Sequence, residues 1–172
     1  MRWPHRAEPD DVDVESCLAN LDRLEAVRAS GLIGAPRSDA LDGLTRAAAE
    51  RLHAPMAFMS VLDDRHAHYV SVNDVGRTGL ITRPAVSAEE TYCQFVVATR
   101  EPLIISDSHL DPRVSGHPAA PSVRAYLGVP LRSDDHVLGS FCVVDVHARE
   151  WTATELAELE ELASTALATA GR

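Results

Sequence analysis

The chain has 172 residues, a length that fits one domain with a single hydrophobic core. Apolar residues make up 45% and charged residues 24%, a mixture that excludes disorder for most of the chain. The 26 acidic residues outnumber the 16 basic residues, and the resulting net charge of −10 repels phosphate backbones and anionic lipids. We therefore expect neither a nucleic acid nor a membrane as a partner.

No export signal, membrane span or cysteine-based metal motif is recognisable. The N-terminal arginines are followed by acidic residues instead of an apolar run, and no stretch approaches the roughly 18 apolar residues of a membrane span. Cys17, Cys93 and Cys142 are widely spaced and form no CxxC pair, which argues against structural zinc and a disulfide scaffold. These features predict a cytoplasmic protein with reduced thiols, made of a mobile tail (1–13) and a single domain (14–172).

Two helices are predicted before the first strand. The first runs from Val14 to about Ala29, and its apolar stripe either docks on the core or forms a dimer seam. The second follows Pro36, is capped by Ser38 or Asp39, and ends at residues 53–55.

Strands and a short helix follow in the middle of the chain. Residues 56–62 and 66–72 predict a hairpin with an acidic turn, and residues 73–90 predict a long loop. Residues 89–99 can form a helix that buries Tyr92 and Cys93, and residues 103–106 form the next strand.

The C-terminal part supplies a second hairpin and a long helix. After the irregular segment 107–122, strands are expected at 123–131 and 137–144, followed by a helix capped by Thr152 or Thr154. Hairpins flanked by terminal helices predict an antiparallel α+β fold and not a doubly wound nucleotide-binding fold.

Phosphate-binding, metalloprotease and serine-hydrolase motifs are missing, so the remaining candidate chemistry lies in the cysteines, arginines and histidines. Cys93 and Cys142 are either small buried core residues or reactive thiols. Cys17 lies on the first helical stripe.

The segment that begins at Asp107 carries two carboxylates and two guanidinium groups. In one interpretation, Asp107 and Asp111 pair with Arg113 and Arg124 and fix the loop against the sheet. In the other, one of the arginines reaches an anionic ligand that the loop encloses. These arginines are local exceptions in an acidic protein, so an anionic ligand is expected there if anywhere.

The eight histidines suggest two further hypotheses. His66 and His68 share one face of a strand and form a candidate metal pair, although no third ligand is identifiable. His109 or His117 would be the axial ligand if a haem were bound.

The ordered set of motifs resembles the GAF domain family of small-molecule sensors over nearly the whole chain, in the branch found with histidine kinases and diguanylate cyclases. The matching stretches are 39–44 (DALDGL), 54–57 (APMA), 60–63 (SVLD), 91–93 (TYC), 102–107 (PLIISD), 111–113 (DPR), 124–131 (RAYLGVPL) and 138–145 (LGSFCVVD). The resemblance implies a five- or six-stranded antiparallel sheet with the terminal helices packed on one face and ligand-pocket loops on the other. The residues expected to bind the ligand are Tyr92, Cys93, Asp107, Asp111, Arg113, Arg124 and Tyr126.

The expected function is that of a stand-alone sensory or regulatory GAF module. It would bind a small molecule or a protein partner, signal through helix-mediated homodimerisation, and pass its output to another protein. The sequence lacks the residue set of cyclic-nucleotide-binding relatives, and Gln94 follows Cys93 where bilin-binding relatives commonly have histidine. Three alternatives remain open: a free methionine-R-sulfoxide reductase acting through Cys93, a haem-based redox or gas sensor, and a ligand-free interaction scaffold. The ligand and any cofactor are not identified at this level.

Overall fold

The computed structural model describes residues 12–170 and contains one six-stranded sheet. The predicted tail (1–13) therefore lies almost wholly outside the described residues. Every neighbouring pair of strands is antiparallel, and the order across the sheet is β3-β2-β1-β6-β5-β4. The strands are β1 (Met56–Leu62), β2 (His66–Asn73), β3 (Ala85–Ser87), β4 (Leu103–Ile105), β5 (Ala125–Ser133) and β6 (His136–Asp145).

Five α-helices surround the sheet in the described residues. They are α1 (Val14–Leu18), α2 (Leu21–Ser30), α3 (Asp39–Arg51), α4 (Cys93–Thr99) and α5 (Ala153–Ala170). Ser38 caps α3 as predicted, and Thr152 and Glu155 form reciprocal side-chain to backbone bonds at the start of α5. None of the helices within residues 12–170 has both the length and the apolar character needed to cross a bilayer.

The two faces of the sheet bury different sets of side chains because residues alternate along each strand. On one face, Leu127 and Phe141 pack under α3 and α5. On the other, Tyr126 and Cys142 pack under α4 and the loops. The second face is the one that carries the cavity described below.

The predicted single helix from Val14 to Ala29 is wrong, because α1 ends at Leu18 and α2 begins at Leu21. The side chain of Asn20 accepts a hydrogen bond from the Arg23 amide and so starts a new helix. The break changes which residues face inward: Leu18 and Val27 are buried, whereas Leu21 is 76% exposed. As a result α1 packs against α4 on the cavity side of the sheet.

The predicted loop at 73–90 also contains regular structure. Its end forms the short edge strand β3, which pairs with His66–His68 of β2, and a 3₁₀ turn over Ala88–Glu90. Ser87 and Glu90 cap this turn through their side chains, so α4 begins at Cys93 and not at Glu89.

Candidate functional site

A cavity of about 310 Å³ lies between the sheet and the segments that cover it. Its floor consists of sheet side chains, namely Met56, Phe58, Tyr69, Tyr126 and Val144. Its walls come from two connecting segments, 79–93 and 118–123. This volume is at the small end of the range for small-molecule sites.

The cavity is apolar at its floor and polar at one side. Phe58 and Tyr69 meet edge to face, with ring centroids 5.5 Å apart. Arg83 and Glu90 lie 3.6 Å apart at the wall and are both substantially exposed. A ligand would therefore bury an apolar body and present any charged group to this side.

Tyr92 forms part of the wall and is held by aromatic neighbours. Its ring centroid lies 4.7 Å from that of His117 and 5.3 Å from that of Tyr126. Its hydroxyl donates to the carbonyl oxygen of Val123 at 3.4 Å. Burial raises the pKa of Tyr92 to about 12, so the hydroxyl stays protonated and remains a donor.

Two thiols and two hydroxyl groups meet beneath the cavity, and we call them the thiol cluster: Cys93, Tyr126, Ser140 and Cys142. The Sγ atoms of the two cysteines are 3.7 Å apart. The Tyr126 hydroxyl lies 3.5 Å from the Cys93 Sγ and 3.0 Å from the Cys142 Sγ. The Ser140 hydroxyl is 2.7 Å from the Cys142 Sγ. All four side chains are almost completely buried.

Gly128 allows the tyrosine to reach this cluster. Tyr126 and Gly128 point to the same face of β5, and Gly128 is paired with Cys142 on β6. A Cβ atom on Gly128 would lie 2.3 Å from the Tyr126 hydroxyl. The missing side chain at position 128 therefore provides the space in which the Tyr126 ring lies along its own strand.

The two cysteines differ in acidity. Burial by itself raises the pKa of Cys93, but hydrogen bonds from its neighbours, among them Cys142 and Tyr126, outweigh that effect and lower the pKa. Burial and the hydrogen bond to Cys93 raise the pKa of Cys142 well above its usual value. The surroundings thus favour the thiolate form at Cys93 and the protonated form at Cys142.

The acidic and basic residues of segment 107–124 pair with each other. Arg124 Nε donates to Asp107 at 2.9 Å, and the neighbouring guanidinium group lowers the pKa of Asp107. Arg113 contacts Asp111 at 2.7 Å and donates to the carbonyl oxygen of Ile104 on β4. These pairs tie the covering segment to the sheet edge, as the first of the two sequence interpretations predicts.

The structure brings three of the seven predicted ligand residues to the cavity. Tyr92, Cys93 and Tyr126 line it. The other four, Asp107, Asp111, Arg113 and Arg124, do not belong to its lining, and their role in ligand binding stays a prediction. The wall residues of segment 79–86 are not among the predicted ligand residues, and their only signal in the sequence is the unusual length of the predicted loop.

Two of the candidate histidines, His68 and His117, make local contacts, and a third, His109, does not face the cavity. His117 Nδ1 accepts from the Ala119 amide at 3.0 Å, and Nε2 lies 3.3 Å from the Gln94 side-chain nitrogen, so both ring nitrogens have close polar neighbours. His109 is exposed. His68 Nε2 lies 2.7 Å from the Asp63 carboxylate, which also caps the turn between β1 and β2.

Comparisons with known proteins agree with this architecture. The model of the GAF domain family matches residues 36–169. No curated protein matches the chain. The GAF domain of an Acinetobacter phosphoenolpyruvate-protein phosphotransferase is similar, with 14% identity and a TM-score of 0.63 over 88% of this chain and 92% of that chain.

Two other similar structures belong to proteins of different kinds. One is the type II free methionine-R-sulfoxide reductase from Thermoplasma acidophilum, with 14% identity and a TM-score of 0.63 over 87% of this chain and 95% of that chain. The other is the blue-light absorbing form of the Thermosynechococcus elongatus PixJ GAF domain, with 19% identity and a TM-score of 0.59 over 88% of each chain. At these identities the likeness shows the fold alone. Because the family model spans most of the sequence, the chain belongs to the GAF domain family.

Proposed function

We propose that the protein is a sensory or regulatory module that binds a small, largely apolar molecule in the cavity over the thiol cluster. The observation that carries the proposal is the cavity itself, which lies on the loop-covered face of the sheet and is not filled by the chain's own side chains. A scaffold without a ligand would have no need for this space. The aromatic floor favours a planar or branched apolar group.

Native mass spectrometry of protein purified under mild, reducing conditions tests this proposal. We expect a retained small molecule, or binding of candidate ligands that raises the melting temperature. Ala119→Trp fills the cavity wall and should abolish both effects. Ser115→Trp, at an exposed position of segment 107–124 that is not part of the cavity lining, is the matched control and should retain them. Binding that persists unchanged in Ala119→Trp would refute the cavity as the site.

Signalling through a helix-mediated homodimer is the second part of the proposal. The exposed Leu21 at the start of α2 supports it, because this apolar side chain is 76% exposed and burial against a second copy would remove it from water. The output would pass to another protein. We also propose a cytoplasmic location, since an oxidising compartment would tend to cross-link Cys93 and Cys142.

Thiol reductase activity on free methionine sulfoxide is a second candidate function. The 3.7 Å separation of the Cys93 and Cys142 Sγ atoms supports it, because this reaction needs a nucleophilic thiolate and a nearby resolving thiol. A coupled assay with thioredoxin is expected to show turnover that Cys93→Ser abolishes. Equal rates for the two proteins would eliminate this candidate.

A further inference from the structure

We propose that the thiol cluster is a hydroperoxide-reactive site, in which Cys93 is oxidised from the cavity side and Cys142 then closes a disulfide with it. The substrate class is an organic hydroperoxide small enough to enter the cavity. The site gives the module a redox input through the same cavity that we propose for its sensory ligand.

The distance between the two thiols is short enough for a disulfide without a change of fold. A disulfide bond is about 2.05 Å long, so the two Sγ atoms have to approach by roughly 1.7 Å. They start 3.7 Å apart with no side chain between them. Cys142 is held on the central strand β6, whereas Cys93 is the first residue of the short helix α4. The movement therefore falls mainly on Cys93 and the start of α4.

The positions of the two cysteines assign them different roles in the reaction. Cys93 contributes to the cavity lining, and Cys142 does not. A molecule in the cavity thus contacts Cys93 and not Cys142. Cys142 lies behind it, within reach of the oxidised sulfur but out of reach of the oxidant.

The reaction proceeds in two balanced steps. The Cys93 thiolate attacks the terminal oxygen of the hydroperoxide, forming an S–O bond as the O–O bond breaks. The sulfur is oxidised to a sulfenic acid, and the peroxide leaves as an alcohol after taking up one proton. The Cys142 sulfur then attacks the Cys93 sulfur, forming the disulfide, and the hydroxyl group leaves with the Cys142 proton as water. A dithiol reductant reverses the result.

The surroundings of the cluster suit this chemistry. The Tyr126 hydroxyl lies within hydrogen-bond reach of both sulfur atoms. It can therefore donate to the Cys93 thiolate before oxidation and position the Cys142 thiol for its attack. The apolar part of the cavity lining includes Phe58, Ile81 and Val144, which favour an apolar hydroperoxide over hydrogen peroxide.

Peptide mapping after oxidation tests the proposal on the intact chain. The chain contains no lysine, so cleavage after arginine leaves the three cysteines in separate peptides, 7–23, 78–100 and 133–149. One equivalent of cumene hydroperoxide is expected to remove two mass units, to link peptide 78–100 to peptide 133–149, and to leave Cys17 as a thiol. Dithiothreitol should restore the original mass.

Single variants assign the two roles. Cys142→Ser should accumulate the sulfenic acid, which dimedone traps on Cys93, and Cys93→Ser should lower the rate of peroxide consumption at least tenfold. Cys17→Ser is the matched control and should behave as the wild type. Circular dichroism checks that each variant is folded, and Cys→Ala variants replace any that is not.

Three results would overturn the proposal. The first is wild-type protein that stays reduced, and the second is a disulfide that involves Cys17. The third is a Cys93→Ser variant in which Cys142 is oxidised as fast as Cys93 is in the wild type. The rate of Cys93 oxidation by cumene hydroperoxide, divided by the rate with hydrogen peroxide, should exceed the same ratio measured for free cysteine. A lower ratio would overturn the cavity as the entry route. Because no sensory ligand is added, failure here is distinct from failure of the ligand-binding proposal.

Tyr126→Phe tests the tyrosine as a positioning residue. It keeps the ring and removes the hydroxyl, so the rate of Cys93 oxidation should fall about tenfold at neutral pH and its pH profile should move to higher pH. A merely structural role would leave the pH profile unmoved, and that result would refute the assignment.

Discussion

Gly128 shows how one missing side chain organises the cavity floor. Tyr126 leans along its own strand over the space that a Cβ atom of Gly128 would occupy, and this position lets its hydroxyl reach Cys93, Ser140 and Cys142. The requirement is steric and not conformational, because the backbone at Gly128 adopts no positive φ. The identity of residue 128 therefore controls the hydrogen bonding of the thiol cluster.

Gly128→Ala is expected to destabilise the fold by about 1–3 kcal/mol, because the tyrosine must move out of a well-packed position. Gly43→Ala is the control: it lies inside α3, and a Cβ atom there meets nothing within 4 Å. That change should stabilise the protein by about 0.5–1 kcal/mol, since alanine favours the helix. Urea denaturation measures both. An equal effect of the two changes would contradict the steric role of Gly128.

His117 is a second residue whose surroundings predict a measurable effect. Burial lowers its pKa, while a hydrogen bond with the Thr91 backbone opposes the shift. The ring packs against Tyr92 and Phe95, and Nδ1 accepts from the Ala119 amide. Protonation of Nδ1 would break that last bond and place a charge beside the cavity wall.

The stability of the protein should therefore fall as the pH drops below about 6.5, the pKa of histidine in an unfolded chain. In this range the unfolded chain binds a proton that the folded His117 does not, so proton binding favours unfolding. His117→Gln should flatten the dependence of the urea midpoint on pH between about 5 and 7. His109→Gln, an exposed site in the same segment, should leave it unchanged. A flat profile in the wild type would contradict the prediction.

Among the elements, α2 depends on a single buried guanidinium group. Arg23 donates to carbonyl oxygens at the ends of three other elements, at 2.9 Å to Leu18, 2.9 Å to Leu62 and 3.3 Å to Val137. Only 5% of the residue is exposed. Burial lowers the pKa of Arg23, although nearby Asp63 opposes that effect. The arginine thus joins α1 and α2 to the ends of β1 and β6.

Arg23→Ala should destabilise the protein by about 2–4 kcal/mol, because it leaves several buried carbonyl oxygens without a donor. Arg28→Ala on the same helix removes only an exposed pair with Glu25 and should cost less than about 0.5 kcal/mol. Urea denaturation compares the two, and hydrogen exchange should show earlier opening of α2 in Arg23→Ala. Similar losses in both variants would show that Arg23 does not anchor α2.

The elements that the sequence predicted well are those with strong local signals. Ser38 and Thr152 begin their helices because their side chains satisfy free amide groups, and β1 has the predicted bounds. The break before Leu21 depends on Asn20, whose capping competes with a continuous apolar stripe. The edge strand β3 depends on pairing with β2, which no local pattern reveals.

The site was partly predictable for the same reason. Tyr92, Cys93 and Tyr126 belong to recognisable motifs, and they do line the cavity. The contact between Cys93 and Cys142 joins residues 49 positions apart, and it depends on how α4 crosses β6. Only the folded chain shows that these two thiols meet.

At the scale of the whole molecule, the sheet separates a face packed under α3 and α5 from a face that carries the cavity. The face under α3 and α5 is filled by Leu127, Phe141 and their neighbours. The opposite face holds the cavity, the thiol cluster and α4, and α1 packs on α4 through Leu18 and a contact from Cys17 to the Ala98 carbonyl oxygen. Movement of Cys93 at the start of α4 would thus shift α4 against α1, and α1 would pass the displacement on to the start of α2.

The exposed Leu21, where we propose the dimer seam, is the first residue of α2. The oligomeric state is therefore the property of the whole molecule to measure. Light scattering coupled to size-exclusion chromatography should show a dimer for the wild type and a monomer for Leu21→Asp, because a carboxylate cannot be buried in an apolar seam without a large cost. Leu110→Asp changes an equally exposed leucine in the segment 107–124 and should leave the dimer intact. A wild-type monomer at high concentration, or loss of the dimer in both variants, would contradict a seam at α2. If the seam is correct, oxidation of Cys93 should also change the dimer dissociation constant, since α1 connects the oxidised helix to Leu21.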